Sequence, residues 1–403
     1  MELIYSKKLF ILISATWVFL FVGCIEKTVK EIPVYNLDNI IKETELKLTD
    51  LVDNIRIVPL ETNDNLQVSE SMFGGYKIAV TKEYIIIMGD KAVTQFDAIT
   101  GKFIRSLTTS GRGPQEHGVI TSYTINYNND ILYISHSSGT NKLVVNLKTG
   151  QMLSPIITTL PISLNDLFIT PDGSIGVADD SLMFGKIDVL SGEYTPVLNE
   201  SRLNEMKEKK RSKFITHFGC ASLGLNEDDL YLFNQKISDT LYRYNSPNDC
   251  EGVMVVYSND IDNEFEGSTI KIPYIDNKTA IYSTYSLKYG QDKNGSIYVL
   301  NTPRQLYKMT RDNRLGERIS KFIFNPLFIM REEGSSAAKF FNKSYFSNST
   351  FYAKILDAYI VKEAIALTLE DTSLSQNIIR ALNELDSKLT ENSNPVVVIG
   401  EKR

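Results

Sequence analysis

The chain has 403 residues, a formal net charge of −6 and three cysteines, and 42% of it is hydrophobic. The charge has the wrong sign for a general nucleic-acid binder, the apolar fraction is too high for a disordered chain, and three cysteines cannot build a disulfide framework. The length fits two or three ordinary domains or one large all-β unit.

The first element is a targeting segment. Lys7 and Lys8 precede an apolar run, Leu9 to Val22, broken only by Ser14 and Thr16. A membrane-spanning helix needs about 20 apolar residues, so the run is too short to span and fits a signal-peptide core. It ends in Phe21-Val22-Gly23-Cys24, which resembles a bacterial lipobox, with Phe21 where Leu is usual. That resemblance implies cleavage after Gly23 and a lipid on Cys24. Three segments are therefore expected: a lipoprotein signal peptide (1–23), the lipidated Cys24 with a polar tether (24–53), and a folded domain (54–403). The remaining cysteines, Cys220 and Cys250, read as two free thiols, with a disulfide between them as the alternative.

A hairpin motif then recurs. Phe96-Asp97-Ala98-Ile99-Thr100-Gly101-Lys102-Phe103 is echoed by Val145-Asn146-Leu147-Lys148-Thr149-Gly150-Gln151-Met152 and by Ile187-Asp188-Val189-Leu190-Ser191-Gly192-Glu193-Tyr194. The glycine supplies the positive φ that such a turn needs. A second unit is a polar turn followed by a strand. Thr81-Lys82-Glu83 leads into Tyr84 to Met88, Asn128-Asn129-Asp130 into Ile131 to Ile134, and Pro171-Asp172-Gly173 into Ile175 to Val177. Asn226 to Asp229 leads into Leu230 to Phe233, and Lys293-Asn294-Gly295 into Ile297 to Leu300. Such spacing belongs to four-stranded antiparallel blades. Six blades are expected: 72–108, 120–157, 163–198, 214–258, 284–323, and a last one from Phe351 onward. The last is closed by Asn54 to Leu60 and by Asn394 to Gly400, which removes an exposed edge. The 21 Tyr and 19 Phe, against one Trp, suit the pleated surfaces packed between blades. Two helices are expected: a solvated basic one at Leu203 to Ser212, and an amphipathic one at Ser375 to Leu389 packed outside the last blade.

These residues resemble the six-bladed β-propeller lipoproteins of Bacteroides-type bacteria, which are related in shape to NHL-repeat propellers. The likeness is carried by Ile57-Val58-Pro59-Leu60-Glu61-Thr62, by Phe96-Asp97 with Gly101-Lys102-Phe103-Ile104, by Gly111-Arg112-Gly113-Pro114-Gln115-Glu116, and by Asn394-Pro395-Val396-Val397-Val398. It covers about residues 50–403. It implies the all-β propeller fold and a place in the cell envelope, lipid-anchored to the outer membrane on its periplasmic or surface side. It brings no established reaction.

The loop Ser110 to His117 is the most distinctive stretch, and it joins blade 1 to blade 2. Two glycines and a proline suit a sharp crossing. Arg112 there can grip a carboxylate or phosphate through two parallel N–H bonds, with Glu116 and His117 beside it. These three are the candidate ligand-binding residues. Alternatively, Arg112 and Glu116 simply fix the loop between blades. The loop lacks the Lys-Ser/Thr ending of a phosphate-binding P-loop. His117, His136 and His217 are too few and too scattered for a metal site. The acidic stretch Asn259 to Glu264 lacks the spacing of a calcium loop. No nucleophile elbow or triad is readable. The function expected is therefore an envelope binding module, without metal or cofactor, for a glycan, peptide or envelope protein. The alternative is a hydrolase or lyase acting in the central pocket.

Overall fold

Short strands that bury both faces must stack sheet on sheet, and a ring of blades does so with no unpaired sheet face. The computed structural model describes residues 32–403 except 64–65, 67, 70–75, 138–140, 159–165, 171–172, 180–182, 197–199, 209–220, 226–229, 235–237, 247–248, 259–266, 276–278, 292–296, 311–314, 325–329, 334–344 and 349. It is a six-bladed β-propeller of mainly antiparallel blades. Cys24, Cys220, His217 and the acidic stretch 259–264 lie outside the described residues or have undescribed side chains, as does the side chain of Cys250.

Three strands come first among the described residues: β1 (Val34–Asn36), β2 (Glu43–Lys47) and β3 (Val52–Pro59). Blade 1 is β4 (Lys77–Val80), β5 (Tyr84–Met88), β6 (Ala92–Asp97) and β7 (Phe103–Thr109). Blade 2 is β8 (Ile120–Asn126), β9 (Ile131–His136), β10 (Asn141–Asn146) and β11 (Ile156–Ile157), and blade 3 is β12 (Asp166–Ile169), β13 (Ile175–Asp179), β14 (Met183–Ile187) and β15 (Tyr194–Pro196). Helix α1 (Glu200–Glu208) leads to blade 4, built from β16 (Ala221–Leu225), β17 (Leu230–Asn234), β18 (Thr240–Ser246) and β19 (Asp249–Tyr257). Blade 5 holds β20 (Gly267–Ile275), β21 (Thr279–Gln291), β22 (Ile297–Thr310) and β23 (Leu315–Phe324), with β24 (Met330–Glu333) paired to β23. Blade 6 is β25 (Tyr345–Ser347), β26 (Phe351–Leu356), β27 (Val396–Lys402) and β3. Helices α2 (Ala358–Leu369) and α3 (Gln376–Ser387) stand between β26 and β27.

Blade 5 begins earlier than its turn suggests. Strand β20 starts at Gly267, so β21 and β22, on either side of Lys293-Asn294-Gly295, are the blade's second and third strands, where the expected range 284–323 makes them its first and second. The two long strands β21 and β22 hide the blade's true start, because no Thr/Ser-Gly motif marks its end.

The polar stretch expected to be tether as far as residue 53 is folded from Val34 onward. It forms a belt. Strand β1 pairs in parallel with β19 of blade 4, and β2 in parallel with β23 of blade 5. Next, β3 pairs antiparallel with β27 of blade 6. The stretch looks unstructured because few of its residues are apolar, yet Tyr35, Leu37, Leu46, Leu48 and Leu51 are all buried. Its polar residues serve the register: Glu43 pairs with Arg318, Glu45 with Lys321 (3.4 Å) and Lys42 with Glu317 (2.5 Å).

Both chain ends meet in blade 6, as the apolar terminal run requires. Asn394 is 4% exposed and fastens them. Its side-chain amide donates to the carbonyls of Glu61 (2.6 Å) and Leu66 (2.8 Å), and its oxygen accepts from Val68 N–H (2.9 Å). Its backbone N–H donates to Thr62 Oγ1 (2.7 Å).

Alternation along each strand feeds two blade interfaces. Phe351, Ala353, Ile355, Val397 and Ile399 join Ile78, Ile85 and Ile87 of blade 1 in one cluster. Tyr352, Leu356, Val396 and Val398 join the belt leucines and Val361, Ile365 and Leu382 of α2 and α3 in another. Each such fully buried aliphatic side chain contributes about 1.5–3 kcal/mol. The expected amphipathic helix is α3, capped at its start by the Ser375 side chain, which accepts from Ile378 N–H.

Candidate functional site

The repeated hairpins explain how the blade 1–blade 2 junction is held. Gly101, Gly150 and Gly192 have φ of 71°, 73° and 71°. In each turn the Asp or Asn side chain accepts backbone N–H groups: Asp97 from Ile99 and Thr100, Asn146 from Thr149, and Asp188 from Leu190 and Ser191. The Thr100 hydroxyl and backbone bonds hold the Asp97 carboxyl below its usual range. The glycines have a second duty that the sequence does not announce. A Cβ on Gly101 would stand 2.0 Å from Pro59 O, and one on Gly192 would stand 1.7 Å from Ile157 O. On Gly150 it would meet the Arg105 side chain at 2.5 Å. Each turn thus packs against the outer strand of the preceding blade.

The distinctive loop, residues 110–117, crosses from β7 to β8. It is closed by backbone bonds from Gly111 N–H to His117 O (3.1 Å), from His117 N–H to Thr109 O (3.0 Å) and from Glu116 N–H to Gly113 O (3.1 Å). Thr108 Oγ1 donates to Gln115 O (2.6 Å). Glu116 turns inward, and its Oε2 accepts Gly113 N–H at 2.7 Å. A Cβ on Gly111 would stand 1.9 Å from that oxygen, so the first glycine makes room for the carboxylate. A glycine-rich turn offers N–H groups to an anion, and here the protein's own Glu116 takes that place.

The three candidate residues therefore diverge. Arg112 is exposed and makes no hydrogen bond or ion pair with the other described residues. Glu116 is half-buried and spent on the loop. His117 is fully buried: its Nδ1–H donates to Gly118 O at 2.7 Å, and its Nε2 has no partner among the described residues. Of the three, the guanidinium alone offers a charge to an incoming group. Arg112 on a loop this firmly closed can hold a planar carboxylate or phosphate bidentately.

Two residues that the sequence did not single out stand close by. His136, the last residue of β9, is 5% exposed and accepts Gly118 N–H at Nδ1 (3.4 Å). Lys142, the second residue of β10, is 1% exposed and donates to Ser135 Oγ (3.0 Å). Burial pushes the Lys142 ammonium down to about 8. Burial, then His117 and Lys142, holds His136 below its ordinary value. A lysine opening the apolar run Leu143-Val144-Val145 was the available signal, since a charge on the buried face of a strand needs a specific reason. Among the described residues, no three His, Cys, Asp or Glu side chains gather as a metal ion would require.

The comparisons with known proteins agree with the architecture. A family model described as a domain of unknown function, DUF4934, matches residues 32–401. The chain belongs to that family. Its match starts at the belt, which DUF4934 therefore includes with the blades. A Bacteroides fragilis protein described as exported has a solved structure similar to this one at 11% identity, with a TM-score of 0.58 over 93% of this chain and 100% of that one. A DUF4221 member from Bacteroides vulgatus aligns at 12% identity, with a TM-score of 0.42 over 87% and 97%. A search of curated proteins finds no match.

Proposed function

We propose that this DUF4934 protein is a lipid-anchored, NHL-like propeller of the bacterial envelope that binds a ligand through the Arg112 loop. The ligand is a glycan, peptide or envelope protein bearing a carboxylate or phosphate. One observation carries the reading: Arg112 is an exposed guanidinium without a partner among the described residues, on a loop whose carboxylate, Glu116, is already taken by the loop's own Gly113 N–H. A rigid loop of this kind binds without first having to order itself. Anchoring is read from Lys7, Lys8, the Leu9 to Val22 core and Cys24, and an envelope location is supported by the fold shared with a Bacteroides protein described as exported. Among the described residues no helix is long and apolar enough to cross a membrane.

Two experiments test this. A thermal-shift screen of the protein against acidic glycans and peptides should find a stabilising ligand. Turnover of any of them would favour the hydrolase or lyase reading instead. Labelled palmitate fed to expressing bacteria should mark the wild type and leave Cys24→Ala unmarked. Equal labelling of both removes the anchor from the account.

A further inference from the structure

Gly118, where the loop enters blade 2, is held between two imidazoles. His117 Nδ1–H donates to its carbonyl at 2.7 Å, and its N–H donates to His136 Nδ1 at 3.4 Å. Only the second bond requires a neutral ring, since a protonated imidazole still donates from Nδ1. His117 must carry its proton on Nδ1, because a carbonyl only accepts. His136 must leave Nδ1 bare, because an N–H only donates. We propose that this clasp is an acid-sensitive latch on the 110–117 loop, closed while the His136 imidazole is neutral and opened when its Nδ1 takes up a proton.

A proton on His136 Nδ1 would set N–H against the N–H of Gly118. The described charged groups around the clasp do not offset this. From β10 comes the Lys142 ammonium, bonded to Ser135. From β4 comes Lys77, whose ammonium donates to the carbonyls of Ile120 and Thr121. On the loop, Glu116 is committed to Gly113 N–H, while Arg112 and, before β6, Lys91 point to solvent. Among the described residues, no carboxylate is placed to take up a proton's charge on His136.

The direction follows from His136. Its value is lowered in the closed form, mainly by burial. An opened loop would return it towards an ordinary value of about 6.5. The open form then binds the proton more readily, so closure is at full strength above about 6.5 and weakens as pH falls below it. This latch goes beyond ligand binding and operates whether or not Arg112 holds anything.

Hydrogen exchange by NMR on the wild-type protein and on His136→Asn tests the latch. Asn offers Gly118 N–H an acceptor that takes up no proton. Between about pH 7.5 and about 5, exchange at Gly111, His117 and Gly118 should speed up about tenfold in the wild type, after correction for intrinsic pH dependence. Amides of β5 should keep their protection, and the variant should lose most of the acceleration. An unchanged loop in the wild type overturns the latch. So does equal acceleration in the variant, or equal loss of protection in β5. Should His136→Asn fail to fold, the wild-type imidazole signals decide: His136 must titrate together with the loop amides, and titration without any loop response overturns the proposal.

Discussion

Blades 1 to 3 and blades 4 to 6 are joined by different devices. On the first side, a hairpin glycine from each blade presses against the outer strand of the blade before it, as Gly192 does on Ile157. On the second side, the outer strands β19 and β23 are covered by the chain's own belt, which continues into β3. The first device is local and repeats in sequence. The second is made once, from a segment more than 200 residues away from the strands it covers. The lesson is that regular repeats report only the half of the ring that needs no help from elsewhere. The candidate site sits on the regular side, where the junction between blades is short and closed.

Mutations can break the two halves separately. The largest effect is expected at the seam that closes the belt. Asn394→Asp replaces two amide donors by acceptors facing the Glu61 and Leu66 carbonyls, and should cost about 4 kcal/mol in urea unfolding, more than Asn394→Ala. Gly192→Ala comes next. It puts a Cβ into Ile157 O and forces an L side chain to φ of 71°, for a loss of about 3 kcal/mol. A smaller effect is expected at Gly173, where φ is 80° and the nearest atom to a Cβ is 3.8 Å away, so Gly173→Ala should lose about 1–2 kcal/mol from backbone strain alone. If the two glycines cost the same, the blade-packing role of Gly192 is wrong.

Lys142 gives a pH signature on the regular side. Its folded value of about 8 lies below the ordinary lysine value. Between roughly pH 8 and 10.5 the folded chain therefore holds fewer protons at this site than the unfolded chain, and stability should rise with pH across that window. Lys142→Met should lack the rise when unfolding midpoints of the two proteins are compared. The smallest effect belongs to the belt's exposed ion pairs. Glu45→Lys should lose about 0.5 kcal/mol, which the double swap with Lys321→Glu should restore.

The propeller was legible because Asp-x-x-Thr-Gly and its variants mark hairpins through backbone chemistry that any chain must obey. Blade 6 was legible for another reason: Val396 to Ile399 is too apolar to lie unpaired. The belt was not legible, because parallel addition to an existing edge asks for only a few buried residues, and Leu46 or Leu48 in a polar stretch carries no periodicity. The loop's outline was readable, but the division of labour within it was not. Nothing in Arg112 to Glu116 as a string says that the carboxylate turns inward while the guanidinium does not. The approach of His136 to Gly118 depends on β8 and β9 lying side by side with Ile120 opposite His136, which only the register reveals.

The claim that Arg112 is the binding group can be met head-on by calorimetry with an acidic ligand found in the screen. Wild type, Arg112→Lys and Arg112→Ala should all fold with equal stability, since the side chain supports no part of the loop. Affinity should fall in that order, with Arg112→Ala losing about 1.5–3 kcal/mol of binding for a charge-assisted bidentate contact. A ligand that binds Arg112→Ala as tightly as the wild type would contradict the account.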